Sequence, residues 1–90
     1  MNWKQLYGID ATFVCPYCLK TFPIKKATKD HKMPYSRFYD NSPENIVLAC
    51  KSCNNEKGAL TPEEYELWKT TLDNEVWKRL EYIRNGGLSL

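Results

Sequence analysis

Apolar and polar positions alternate between two regimes along this chain. In its first two thirds the apolar residues come in short runs broken by turn formers. Asn2 to Tyr7 has an N-capping residue at its start and Gly8 just past its end, which predicts a short helix. Ala11-Thr12-Phe13-Val14 predicts a strand leading into Cys15. From Ile24 to Met33 the chain is polar, rich in lysine and bounded by Pro23 and Pro34, and it reads as extended chain or loop. Asp40-Asn41-Ser42-Pro43 is a strong turn signal, and Ile46-Val47-Leu48 predicts a short buried strand. Lys51 to Lys57 predicts one or two helical turns ended by Gly58. The final third changes period. Thr61-Pro62-Glu63-Glu64 carries an N-cap, a proline at the first helical position and a capping-box glutamate. Tyr65, Trp68, Leu72, Val76, Leu80 and Ile83 then recur every three or four residues, one face of a long helix that Gly86-Gly87 stops. Asp73-Asn74 marks a candidate break in it. The face is expected to pack on the protein's own core; Trp77 and Leu67 lie off the stripe and are the candidates for a dimer or partner contact.

Ninety residues, 42% of them hydrophobic, suit one small domain spanning 1–90 with a thin core. Domains of this size often need a metal or disulfide staple. No apolar run approaches the ~20 residues of a membrane span, and the first residues lack the apolar stretch of a secretory signal. The expected location is therefore the cytoplasm, where thiols stay reduced. A net charge of +2 conceals an asymmetry: residues 1–39 carry seven Lys and Arg against two Asp, and residues 40–90 carry six against nine acids. The front half can attract a polyanion, although, for charge alone, ordinary scatter over a solvated surface is the better account.

The four cysteines form two C-x-x-C pairs, Cys15-Pro16-Tyr17-Cys18 and Cys50-Lys51-Ser52-Cys53. Two such knuckles complete a tetrahedral thiolate site suited to zinc. With all four positions filled by sulfur, that zinc is structural. Disulfides or redox pairs are the weaker account in a reduced compartment. Thirty-one residues separate Cys18 from Cys50, where a plain zinc ribbon needs about 15–20, so the knuckles enclose an insert. The insert contains the only histidine, in Asp30-His31-x-x-Pro34. It also contains Asn45-Ile46-Val47-Leu48, and Cys50-x-x-Cys53-Asn54-x-x-Lys57-Gly58 follows.

In order and spacing these elements resemble the HNH endonuclease family, the ββα-metal nucleases, over roughly residues 13–58. The resemblance implies an α+β fold: a small ββα-metal core carrying the four-cysteine knuckle pair, with a long C-terminal helical extension over about 61–85. The catalytic positions would be His31, Asn45 and Asn54. His31 would be the general base, a task that suits an imidazole near neutral pH. Asn45 would tie down the loop that fixes the His31 strand. Asp30 and Asn54 would hold the catalytic divalent metal. Asn54 stands where many members carry a second histidine, and one carboxylate with one amide oxygen is a hard, sparse donor set that suits Mg2+ or Mn2+. Adjacent strand residues point to opposite faces, so Asp30 and His31 need local twisting to serve one substrate. Asn54 should point from the zinc side of its helix towards the His31 strand, with Lys57 on the same face.

The expected partner is DNA. Lys57 would contact phosphate, and Lys25, Lys26, Lys29, Lys32 and Arg37 would line the approach. The products implied are 5′-phosphate and 3′-hydroxyl ends. Target specificity would be low or supplied by a homodimer or a protein partner, in a bacterial or phage-infected cell, with no role for a membrane. Two alternatives stand beside the nuclease: a catalytically inactive zinc-stapled nucleic-acid-binding module, and an interaction domain presenting the C-terminal helix.

Overall fold

Strand pairing organises the first half of the chain in the computed structural model, which describes Gly8 and residues 10–87. Strands β1 (Thr12–Val14) and β2 (Thr21–Pro23) form one antiparallel pair with Phe13 opposite Phe22. Their rings stack at 5.8 Å. The turn between them is the first knuckle, closed by the Cys15 amide on the Lys20 carbonyl at 3.0 Å. The predicted helix over Asn2–Tyr7 lies outside the described residues.

After a 3-10 turn at Ile24–Lys26, β3 (Ala27–His31) pairs with β4 (Ile46–Cys50), from Ala27 opposite Cys50 to His31 opposite Ile46. The lysine-rich segment is thus a strand in its second half. Its own side chains give little β signal. Pairing with the apolar β4 and cover on one face supply what its composition lacks. The loop between β3 and β4 carries a one-turn helix, α1 (Tyr35–Phe38). Helix α2 (Lys51–Lys57) follows β4 directly, and Cys50 caps it by accepting the Cys53 amide on Sγ at 3.4 Å. β3, β4 and α2 form the ββα unit that the family resemblance implies.

The C-terminal extension is two helices instead of one, α3 (Pro62–Thr70) and α4 (Asn74–Arg84). The Thr61–Glu64 capping box starts α3 as predicted. The break has a local cause. The Thr70 hydroxyl bonds back to the Glu66 carbonyl, and Asp73 accepts the amides of Glu75 and Val76, starting a new helix. Such short polar side chains compete with the backbone ladder. Leu72, expected on the buried stripe, is fully exposed in the break. Trp77, expected off the stripe, stacks on Trp68 at 6.3 Å, and the Trp68 indole donates to Glu81 at 3.0 Å. Leu67 is exposed.

Two apolar clusters result. One joins Phe13, Ile24 and Ala49 to Cys15, Cys50 and Cys53; the other joins Leu60, Tyr65 and Leu80, and Tyr17 packs against both. No described helix is long and apolar enough to cross a membrane.

Candidate functional site

The knuckles converge as their spacing required. One sulfur each from Cys15, Cys18, Cys50 and Cys53 lies within 4.8 Å of every other, and none of the four is in a disulfide. Burial opposes ionisation of Cys15, but backbone N–H groups from both knuckles bring its thiol down to about 7. Burial raises Cys50 and pushes Cys53 up to about 12. Thiolates gathered this closely need a neighbouring positive charge, which a dication supplies. The cluster could hold a zinc ion, and its closed sulfur set leaves no place for substrate.

Beyond the knuckle, α2 turns its next residues onto β3. The Asn54 amide donates from Nδ2 to the Thr28 hydroxyl and to the Lys29 carbonyl, both at 3.0 Å. That fixes the side-chain plane, and Oδ1 has no hydrogen-bond partner among the described residues. Lys57, three residues on, follows the same face and donates to the Asp30 carboxylate at 3.3 Å and to the His31 carbonyl at 3.0 Å.

This arrangement corrects the role expected for Lys57. Its side chain is 0% exposed, so it braces β3 from beneath and meets no phosphate. Burial pulls its pKa down, and the Asp30 carboxylate opposes that pull. Arg37 is likewise corrected. It pairs with Glu64 at 2.5 Å and donates to the Ala59 carbonyl, tying the α1 loop to α3. Lys25, Lys26 and Lys32 are exposed, and Lys29 borders the cavity described below.

Asp30 and His31 keep the opposite orientations of neighbouring strand residues. Asp30 is 4% exposed, with Lys57 on one carboxylate oxygen and the Tyr17 hydroxyl on the other. Burial, then the bond to Asp30, holds the Tyr17 phenol protonated far above its usual range, so it is a permanent donor. His31 faces the loop, where its Nε2 lies 2.8 Å from Oδ1 of Asn41. That oxygen only accepts, so Nε2 carries the hydrogen and Nδ1 is left with a lone pair in the neutral ring.

Asn45 is buried and holds both ends of the loop. Its Nδ2 donates to the carbonyls of Met33 and Asp40, its Oδ1 accepts the Met33 amide, and its carbonyl accepts the Lys32 amide. It is a positioning residue and touches nothing in the cavity.

A single cavity of about 320 Å3 brings the set together, bordered by Asp30, His31, Asn54, Lys29, Pro34 and Tyr35. Its oxygen donors fit a hard divalent cation: the remaining lone pairs of the Asp30 carboxylate and the unpartnered Oδ1 of Asn54. Tyr17 and Asn41 were not singled out from sequence. Tyr17 sits inside a knuckle and Asn41 inside a turn, and only the packed fold brings them to Asp30 and His31.

The family model for HNH endonucleases matches residues 15–60. With a matching region that covers half of its length, the chain belongs to the HNH endonuclease family, whose members are generally nucleases. A search of curated proteins finds no match.

Proposed function

We propose that the protein is a metal-dependent DNA endonuclease that hydrolyses phosphodiester bonds. The observation that carries this reading is the shared cavity, which His31, Asp30 and Asn54 all border. With Nε2 held by Asn41, Nδ1 of His31 accepts a proton from water as its oxygen attacks phosphorus. The bond from phosphorus to the 3′-oxygen breaks, leaving 5′-phosphate and 3′-hydroxyl ends. Mg2+ or Mn2+ bound between Asp30 and Asn54 would supply Lewis acidity to the phosphate and leaving oxygens. Tyr17 and Lys57 hold the Asp30 carboxylate, and Asn45 holds the loop that follows the strand of Asp30 and His31. A single small domain of this kind, in a cytoplasmic setting, would take specificity from a partner or a second copy.

The test is plasmid nicking by the zinc-loaded protein in Mg2+ or Mn2+. Wild type is expected to convert supercoiled DNA to open circles, and His31→Ala, with its circular dichroism unchanged, to lose at least about a hundredfold in rate. Equal nicking by both proteins overturns the assignment of His31. A second reading has its own support: Lys57 and Tyr17 already occupy the Asp30 carboxylate. It describes a nucleic-acid-binding module without catalysis, and binding without cutting in either metal selects it.

A further inference from the structure

On its loop side the cavity opens onto exposed aromatic rings. Tyr35 borders the cavity with its ring centroid 5.6 Å from that of His31, and Tyr39 follows at 5.9 Å from Tyr35. They are four residues apart, which places both on one side of the α1 turn. Tyr35 is 48% exposed and Tyr39 75% exposed. Neither hydroxyl has a hydrogen-bond partner among the described residues. Single exposed aromatics need no explanation; two in sequence, starting at the imidazole, do.

The backbone gives an independent sign. Tyr39 has φ 55° and ψ 27° and ends α1 in the left-handed conformation. Helices commonly reserve that position for glycine, and a bulky side chain is uncommon there. Strain of this kind clusters at ligand-binding sites. Here it sets a large ring that is 75% exposed beside the edge of Tyr35. The next residue is Asp40, whose carboxylate accepts the Ser42 amide. A phosphate would be repelled at that end, which leaves the uncharged part of a nucleotide as the fitting occupant.

We propose that the exposed face of Tyr39, whose ring stands edge-on to Tyr35 at 75°, stacks on an unpaired base of the bound strand, so that the preferred substrate is DNA single-stranded or opened beside the cut. The reference to a cut rests on the nuclease reading; the stacking does not. In a paired duplex the bases beside a phosphate reached by His31 are enclosed in the stack, and rings so close to the imidazole would meet only sugar edges. An opened strand lets a base turn onto Tyr39, and stacking on an aromatic side chain accepts any base, because each has a π-face.

The test is binding of a short single-stranded oligodeoxynucleotide carrying 2-aminopurine, measured with the His31→Ala protein in its zinc-loaded form so that nothing is cut. Stacking quenches the 2-aminopurine emission. Tyr39→Gly removes the ring and also relieves the positive φ, so it should fold at least as well as its parent. It is expected to weaken binding about five- to a hundredfold and to abolish the quench, and Tyr39→Trp is expected to restore both. A fully paired duplex of the same sequence should show no Tyr39-dependent quench. Unchanged affinity and quench in Tyr39→Gly overturn the proposal. So does weakened binding with no quench in the parent, which would mean the ring packs against sugars. Because the readout is binding, absence of plasmid nicking would sink the nuclease reading and leave this result intact.

Discussion

At the scale of single residues, the site is built on a buried ion pair. Lys57 and Asp30 lie beneath β3 at 0% and 5% side-chain exposure. Removing one member of such a pair strands the other, at a cost of about 3–5 kcal/mol. Lys57→Met, which keeps the stem volume, should therefore lower the stability measured by urea unfolding by about that much. The double variant Lys57→Met with Asp30→Asn should recover a good part of it, because no lone charge then remains. If Lys57→Met is as stable as wild type, the lysine is not what holds the carboxylate. The residues that sequence identified and those it missed divide along the same line. His31, Asp30 and Asn54 stand out in the sequence because the motifs that hold them resemble a known family, and they border one cavity; Asn45, which stands out in the same way, holds the loop instead. Lys57 and Arg37 looked like phosphate contacts because a sequence displays charge and conceals its partner. Asp30 and Glu64 had already taken them.

Among elements, α2 and the start of α3 were legible nearly to the residue, because caps are local chemistry. Gly58 closes the first and the Thr61–Glu64 box opens the second. β3 was not legible as a strand, because its signal lies in β4, which pairs with it from across the loop. The hairpin of α3 and α4 was legible only as a candidate break at Asp73-Asn74. Its closure depends on contacts that no period reveals: the Arg84 guanidinium over the Trp68 ring, Glu81 accepting from the Trp68 indole, and Trp77 on Trp68. Chiefly through its bond to Arg84, and with help from Asn85 and Trp68, the Glu81 carboxyl is lowered from 4.5 to about 2. A carboxyl depressed in the folded state adds stability above its unfolded pKa and loses it as the pH falls through the folded one. The helical hairpin should therefore loosen between about pH 4.5 and 2, read as a change in tryptophan emission. Glu81→Gln should flatten that change; an identical acid profile in the variant would show that another group is responsible.

At the scale of the whole molecule, the sulfur cluster sits within the first of two small cores. The first apolar cluster is lined by three of the four cysteines, and Tyr17 links it to the second. Cores this small would leave folding coupled to an ion held by the four sulfurs. Removing zinc with a strong chelator should abolish cooperative thermal unfolding followed by circular dichroism. Zn2+ should restore it, whereas Mg2+ should not, because thiolates are soft donors. Full retention of the transition in the chelated protein would show that the cores suffice alone.

Cys53 and Asn54 are consecutive in α2, one gripping the sulfur cluster and the other reaching β3. Lengthening the chain by a single residue between them would swing everything downstream by about 100°. Asn54 and Lys57 would then face away from Thr28 and Asp30 while both knuckles stayed intact. The segment from Lys32 to Glu44 lies in a surface loop between two strands and has slack of its own. Natural variation in length can accumulate there, whereas the peptide joining Cys53 to Asn54 has a fixed gauge.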